Sequence, residues 1–265
     1  MYSSFQLAKK YTKYYLSAAN GKGHGVHSPF VFDFIKFVLN DKKQYACYSA
    51  IEKERIKLLA NKNKIDVQDF GAGSAVIKTK SRAINKIAAS SLKSKKYAQL
   101  LYRMVQYYQP ENIAELGTSF GITTAYLASA NLHTRVYTLE GAVNIAAIAQ
   151  QNFGELNLKN IELLQGDFEK ILPLLFAKIN IIDFVFIDGN HRKEPTLQYF
   201  AEFLKVSTPA TILIFDDIHW SKEMEAAWEQ IKMDEAVTLT IDLFFIGIVF
   251  LRKEFKVKQH FSIRF

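Results

Sequence analysis

The chain has 265 residues, of which 49% are hydrophobic and 23% are charged. This composition is typical of a globular protein and excludes disordered, collagen-like and low-complexity chains. At about 150 residues per domain, the length predicts one large domain or a domain with an appendage. The longest apolar run, residues 243–251, is far shorter than the roughly 20 residues of a membrane-spanning helix, so no membrane span is predicted.

The amino-terminal stretch alternates lysines with aromatic residues and lacks an apolar core followed by a small-residue cleavage site. We therefore expect no secretory signal. The single cysteine, Cys47, cannot form an internal disulfide. Both observations favour a reducing, cytoplasmic location.

The net charge of +8 is unevenly distributed along the chain. Residues 1–109 carry 20 Lys and Arg against 6 Asp and Glu, whereas residues 110–265 carry 14 against 20. A basic half with a balance of +14 can attract an anionic partner such as RNA, phospholipid or a phosphorylated substrate. The alternative is that the basic half docks partly on the acidic half and otherwise solvates the surface. The charge pattern alone leaves both interpretations open.

Residues 1–93 are predicted to form a helical extension or cap. The glycine-rich segment 20–25 ends the first helix, and Ser28-Pro29 provides a cap and a first residue for the next one. A weaker apolar segment over 65–70 ends in a second glycine-rich sequence. The helices expected in the first half of the chain cover residues 5–16, 30–39, 51–60, 83–89 and 95–108.

Residues 94–265 are predicted to form the main domain, in which short β-like runs alternate with helical ones. The five runs are Asn112–Leu116, Arg135–Glu140, Ile161–Gln165, Ile181–Asp188 and Thr211–Asp216. Such alternation indicates right-handed βαβ crossovers and a mostly parallel sheet. Residues 237–244 and 246–252 leave no room for a helix between them and predict an antiparallel hairpin. The predicted fold is an α/β, Rossmann-like sheet of seven strands with a carboxyl-terminal antiparallel hairpin.

In such a sheet, ligands bind beyond the carboxyl ends of the strands. The first strand runs into Glu115-Leu116-Gly117-Thr118-Ser119-Phe120-Gly121, where two glycines allow a tight turn and close approach of a ligand. The dinucleotide fingerprint needs a glycine where this chain has Ser119, which disfavours a diphosphate. The spacing is suited to a nucleoside without phosphates, such as S-adenosylmethionine (SAM).

Two further strand ends support a nucleoside site. The second strand ends in Glu140, whose carboxylate can accept both ribose hydroxyls. The third is followed by Gly166-Asp167-Phe168, a turn that could reach an adenine edge. The alternatives are that Glu140 is a surface acid and that Asp167 only caps the next helix.

A rival glycine motif, Asp69-Phe70-Gly71-Ala72-Gly73, has a similar spacing. The segment after it offers no strand that ends in an acid, so we do not expect it to bind the nucleoside. Its glycines are compatible with a lid loop.

The order of these motifs resembles the class I SAM-dependent methyltransferases, in particular the catechol, caffeoyl-CoA and macrocin-type O-methyltransferase group. The resemblance covers about residues 94–252. It implies that SAM is held by Glu115, the glycine loop, Glu140, the Gly166 turn and Asp188. It also implies that a divalent metal is bound by Asp188, Asp216 and Asp217. The catechol enzymes have Asp-Asn where this chain has Asp216-Asp217. The resemblance also implies a catalytic role for His191. The matching sequences are ELGTSFG (115–121), Glu140, GDF (166–168), IDGNH (187–191) and FDDIHW (215–220).

The chemistry of the residues agrees with that implication. Three carboxylates at neighbouring strand ends repel one another unless a hard cation lies between them, and oxygen ligands suit Mg²⁺. Such a cation would lower the pKa of an acceptor hydroxyl, and His191 could take its proton near neutral pH. The alternatives are that Asp188 is a loop acid, that either Asp216 or Asp217 only caps a helix, and that His191 is a surface residue.

The predicted function is therefore O-methylation of a small hydroxylated acceptor by SAM with Mg²⁺ or another divalent cation. It requires the glycine loop, Glu140 and the three aspartates to share one pocket. One alternative is a methyltransferase that modifies RNA, including tRNA, with the basic half holding the phosphate backbone. Another is a non-catalytic SAM-binding interaction protein, and a dehydrogenase is a more distant third. A homodimer is left open.

Overall fold

The computed structural model describes residues 1–69 and 78–265. The rival glycine motif lies outside the described residues from Phe70 onward. The chain divides into two compact units. We call Lys42–Asn180 the continuous unit, and Met1–Asp41 together with Ile181–Phe265 the discontinuous unit.

The helices in the described ranges largely match the predicted ones. The predicted helix over 30–39 is an α-helix only to Phe34 and continues as a π-helical stretch, Ile35–Leu39. No helix within residues 1–69 and 78–265 combines the length and the apolarity needed to cross a bilayer. The α-helices are α1 (Ser4–Ser17), α2 (Pro29–Phe34), α3 (Ala46–Ala60), α4 (Ile84–Ser91), α5 (Lys95–Tyr108), α6 (Ile122–Ala130), α7 (Val143–Glu155), α8 (Phe168–Lys178), α9 (Lys193–Leu204) and α10 (Lys222–Met233).

The strands confirm the predicted α/β, Rossmann-like fold. All five βα runs and both hairpin strands form where the sequence predicts them. The strands are β1 (Lys64–Asp69), β2 (Lys78–Ala83), β3 (Asn112–Leu116), β4 (Arg135–Glu140), β5 (Ile161–Gln165), β6 (Ile182–Ile187), β7 (Ser207–Asp216), β8 (Leu239–Asp242), β9 (Ile246–Phe250) and β10 (Gln259–Ser262).

The continuous unit contains a parallel set of three strands in the order β3-β4-β5. The interior residues of β3 and β4 are buried, as expected for strands covered on both faces. Helix α6 is also buried along nearly all of its length. Separately, β1 and β2 form an antiparallel pair.

The discontinuous unit contains five strands in the order β10-β8-β9-β7-β6. Strands β6 and β7 are parallel, and β9 is antiparallel to both β7 and β8. This pairing confirms the predicted hairpin. Its turn places Phe244 at φ +70°, and the Leu243 amide donates to the Ile246 carbonyl at 2.9 Å.

The strand pattern corrects the sequence prediction in two places. Among the described residues the Rossmann-like strands number eight instead of seven, because β10 pairs in parallel with β8. Residues 64–69 and 78–83 form strands within the segment that the sequence predicts to be helical. Strands β2 and β10 contain few apolar residues and lack the usual hydrophobic signal of a strand, and the two apolar residues of β1, Ile65 and Val67, give only a weak one. The division at residue 93 stays a prediction.

Helix α1 is packed against the carboxyl-terminal strands of the discontinuous unit. Tyr11 meets the ring of Phe244 edge-on, with a centroid distance of 5.0 Å. The Tyr14 hydroxyl donates to the carbonyl of Ile263. Beyond the helix, Ala19 forms a parallel bridge with Ile263. Both ends of the sequence therefore build this unit.

Candidate functional site

The loop between β3 and α6, residues 117–121, is the candidate cofactor loop. Three of its five residues have left-handed backbone angles: Gly117 at φ +99°, Ser119 at +48° and Gly121 at +78°. The amides of Gly117 and Thr118 both donate to the carbonyl of Leu139 in β4, at 3.0 and 3.1 Å. These bonds fix the start of the loop against the neighbouring strand.

Gly121 is required at the end of this loop for two reasons. Its positive φ is unfavourable for residues with a Cβ atom. A Cβ added there would also lie 2.4 Å from Cε1 of Phe153, a ring that is 1% exposed. The glycine therefore allows α6 to begin next to α7.

Glu140 lies at the end of β4 and is fixed by backbone amides. Its Oε2 accepts a hydrogen bond from the Ser119 amide at 2.8 Å, and its Oε1 accepts one from the Ala142 amide at 3.0 Å. Burial raises the pKa of this carboxyl, although the backbone donors act in the opposite direction. Because each carboxylate oxygen has a second lone pair, both oxygens of Glu140 can still accept hydrogen bonds from the two hydroxyls of a diol.

Glu115, in β3, is completely buried. Its Oε2 accepts hydrogen bonds from the hydroxyl of Thr124 and, at 2.7 Å, from that of Thr138. Burial raises the pKa of its carboxyl to about 7, with the two hydroxyls opposing the shift. The side chain thus faces the interior of the continuous unit, and its assignment to cofactor binding stays a prediction.

The turn after β5 lies beside Glu140. The Gly166 amide donates to the Glu140 carbonyl at 2.9 Å, and Gly166 has φ +146°. Asp167 caps α8, since its carboxylate accepts from the Glu169 amide at 3.0 Å. Phe168 is half-buried. The turn adjoins the ribose-binding candidate, and the Asp167 side chain has a capping role.

The candidate metal group lies in the discontinuous unit, at the ends of the parallel strands β6 and β7. Asp188, His191 and Asp216 each offer one ligand atom, and these atoms all lie within 4.8 Å of one another. The Nε2 atom of His191 is 3.6 Å from Oδ1 of Asp188, and Asp216 is 1% exposed. Two carboxylates and an imidazole are a suitable donor set for a divalent cation.

Asp217 is not part of this group within the described ranges. It has φ +53°, and its amide donates to the carbonyl of Phe245 at 2.6 Å. Its own carbonyl accepts from the Trp220 amide at 2.9 Å. The backbone of Asp217 thus forms the turn after β7, and its role as a metal ligand stays a prediction.

Several polar contacts of the cofactor loop are not predicted from the sequence. The Ser91 hydroxyl lies 2.8 Å from that of Ser119, and the Thr138 hydroxyl lies 2.6 Å from that of Thr118. Ser91 belongs to no recognisable motif. Thr138 is in a strand whose hydrophobic pattern carries no information about such a bond.

Comparison with known proteins confirms the resemblance that the motifs indicate. Residues 114–218 match a protein family described as "Methyltransferase domain". A catechol O-methyltransferase from Niastella koreensis is 35% identical over 126 residues, which cover 46% of this chain and 55% of that protein. A tRNA (guanine-N(7)-)-methyltransferase from Mycoplasma mobile is 33% identical over 78 residues, 29% of this chain and 39% of that protein. The chain thus spans about half the length, or less, of these relatives.

Solved structures confirm the fold over a longer range. The O-methyltransferase from Bacillus cereus in complex with SAH aligns with 80% of this chain and 93% of its own, with a TM-score of 0.57. The sequence identity is 22%, so this likeness concerns the fold.

Proposed function

We propose that the protein transfers the methyl group of SAM to an oxygen atom of a small hydroxylated acceptor. The observation that carries this proposal is the position of Glu140, which the Ser119 amide of the cofactor loop holds at the end of β4. The acceptor oxygen forms a bond to the methyl carbon as the carbon–sulfur bond breaks. The products are the methyl ether, S-adenosylhomocysteine (SAH) and the proton of the hydroxyl.

In this proposal the continuous unit holds the nucleoside. Glu140 accepts the ribose hydroxyls, and the left-handed residues Gly117 and Ser119 let the backbone approach the ligand. The turn at Gly166 adjoins Glu140 through its amide and borders the adenine side. A diphosphate lacks its usual cradle here because Ser119 stands in place of a glycine.

Calorimetric titration with SAM and SAH tests the cofactor assignment, with NADH as the competing ligand. We expect micromolar binding of SAH and no binding of NADH. Glu140→Ala should weaken SAH binding by at least about tenfold, since two charge-assisted hydrogen bonds are lost. Glu155→Ala, which removes an exposed acid, is the matched control. A folded protein without affinity for SAH would refute the proposal.

We further propose that Asp188, Asp216 and His191 form the site for a divalent cation such as Mg²⁺. Their donor atoms fit a small cation, because the paired carboxylates supply hard ligands at short mutual distance. A cation bound there would lower the pKa of the acceptor hydroxyl and orient it. His191 either completes the ligand set or accepts the proton of the hydroxyl, and a single Nε2 atom cannot do both at once.

The metal proposal is tested by titrating Mn²⁺ into the protein and by measuring turnover in EDTA. Asp188→Asn and Asp216→Asn should each weaken Mn²⁺ binding by at least about tenfold, because each removes a charged ligand. Asp217→Asn tests whether Asp217 is also a ligand, as the sequence predicts. If Asp188, Asp216 and His191 bind the cation without it, this variant should bind Mn²⁺ like the wild type. Glu235→Gln, at an exposed acid, is the control. Unchanged turnover in EDTA would refute metal assistance.

The class of acceptor is supported by the catechol O-methyltransferase match. The basic first half of the chain and the match to a tRNA methyltransferase favour RNA as the second candidate. Incubating cell extract with labelled SAM, with and without EDTA, distinguishes the two by whether the label enters small molecules or RNA. Steep salt dependence of tRNA binding would favour the RNA acceptor. The single half-buried cysteine supports a cytoplasmic setting for either activity.

A further inference from the structure

A chain of hydrogen bonds runs from a buried acid to the cofactor loop inside the continuous unit. Glu115 accepts from the Thr138 hydroxyl at 2.7 Å, and the hydroxyls of Thr138 and Thr118 lie 2.6 Å apart. Glu115 and Thr138 are fully buried, and Thr118 is 2% exposed. None of these polar groups can therefore exchange its partner for bulk water at low cost.

We propose that Glu115 is a positioning residue that fixes the conformation of the cofactor loop through Thr138 and Thr118, without touching the cofactor itself. This inference rests on the proposed function, because its readout is the binding of SAH. It assigns to Thr138, which no sequence motif identifies, a part in cofactor binding.

The directions of the hydrogen bonds follow from the number of protons available. A threonine hydroxyl has one proton, and that of Thr138 is donated to the Glu115 carboxylate. The bond between the two threonines must then be donated by Thr118. Because Oε2 of Glu115 accepts the Thr138 proton, both hydroxyls are oriented, and the side chain of Thr118 becomes fixed.

Thr118 transmits this constraint to the rest of the loop. Its amide donates to the Leu139 carbonyl at 3.1 Å, and its own carbonyl accepts from the Gly121 amide at 2.9 Å. Between these two bonds lies Ser119, whose amide binds Glu140. A shift of Thr118 therefore displaces the donor that holds the ribose-binding carboxylate.

A purely structural role does not account well for the acid. Glu115 Oε1 has no hydrogen-bond partner in the described ranges, and burial of an acid without full compensation is costly. The position of the acid beneath the loop gives its retention a functional reason.

Thr124 provides a matched control inside the same cluster. Its hydroxyl also donates to Glu115 Oε2, but from α6, and no hydrogen bond found in the described parts of the chain continues from it to the loop. Thr124→Val and Thr138→Val each remove one hydroxyl from the same oxygen. Only Thr138→Val breaks the connection to Thr118.

The experiment measures SAH affinity by calorimetry and stability by urea unfolding in the wild type and in Thr138→Val, Thr138→Ser and Thr124→Val. We expect Thr138→Val to bind SAH about tenfold more weakly, which corresponds to the upper range for one hydrogen bond. Thr138→Ser should restore the affinity. Thr124→Val should lose similar stability and keep wild-type affinity.

Two results would overturn the inference alone: wild-type SAH affinity in Thr138→Val, or an equal loss of affinity in Thr124→Val. If Thr138→Val does not fold, Thr118→Val tests the last bond of the chain with the same expectation. Absence of SAH binding by folded wild-type protein would overturn the proposed function, and this inference with it.

Discussion

Replacing Gly121 with alanine should destabilise the protein strongly, although it adds only one methyl group. The new Cβ would lie 2.4 Å from Cε1 and 2.7 Å from Cζ of the Phe153 ring. That ring is 1% exposed and packed in the core of the continuous unit, so it has little space to move. The residue must also keep φ near +78°, where a side chain is unfavourable.

The two effects can be added to give a magnitude. The left-handed conformation costs a non-glycine residue about 1–2 kcal/mol. Forcing an extra methyl group into a packed core costs about 1–3 kcal/mol. The free energy of unfolding should therefore fall by about 2–5 kcal/mol, a large part of the roughly 5–15 kcal/mol typical of natural proteins.

Urea unfolding followed by circular dichroism measures this change. The control is Gly154→Ala, because Gly154 lies in α7 and an added Cβ would meet no neighbour within 4 Å outside the adjoining residues and backbone of its own helix. That variant should be as stable as the wild type or more stable by up to about 1 kcal/mol.

A second substitution separates the clash from the backbone strain. Phe153→Leu should recover the steric part when combined with Gly121→Ala, so the two changes should not be additive. The reasoning is refuted if Gly121→Ala unfolds at the wild-type urea concentration. Full additivity of the two changes would refute the clash with Phe153 as the cause.

Three other predictions concern stability. The pKa of Glu115 is raised from 4.5 to about 7, so the native state retains a proton that the unfolded state releases in that interval. Stability should fall by about 3 kcal/mol from this group as the pH rises from 4.5 to 7, and Glu115→Gln should abolish that slope in urea unfolding at several pH values. An unchanged slope would contradict the assignment. Gly247→Ala would place its Cβ 2.7 Å from the buried Trp228 ring. The free energy of unfolding should fall by about 1–3 kcal/mol, which a lower thermal midpoint would reveal. An unchanged midpoint would show that the ring can move. Lys10→Gln removes a half-exposed ion pair with Glu225. We expect the free energy of unfolding to fall by at most about 1 kcal/mol, and this loss should shrink in high salt. A larger loss that does not depend on salt would show another role for Lys10.

The strands and helices from residue 112 to residue 250 could be predicted from the sequence because hydrophobic patterns typical of strands alternate there with patterns typical of helices. The runs ending at Leu116 and Glu140 are apolar and short, and each is followed by a helical stretch. Once these strands are assigned, the residues after them are the candidate ligands by the rule for parallel sheets. The amino-acid pattern alone thus suffices to place the loop at Gly117 and the acid Glu140 side by side.

Polar contacts between distant residues could not be predicted in the same way. Ser91 and Ser119 are 28 positions apart, and the bond between their hydroxyls depends on how α4 ends beside the loop. The contribution of each carboxylate to the metal group could not be predicted either, because the sequence makes Asp216 and Asp217 equal candidates. In the structure, Asp216 lies with Asp188 and His191, and the metal role of Asp217 stays a prediction.

The division of the chain has a consequence for its synthesis on the ribosome. All residues of the continuous unit have been translated once Asn180 is in place, whereas the discontinuous unit must wait for its last strand. Until Ile263 is made, Ala19 lacks its bridge and the Tyr14 hydroxyl lacks the carbonyl to which it donates. The apolar side of α1 then remains exposed during most of translation, when a nascent chain is most prone to aggregation.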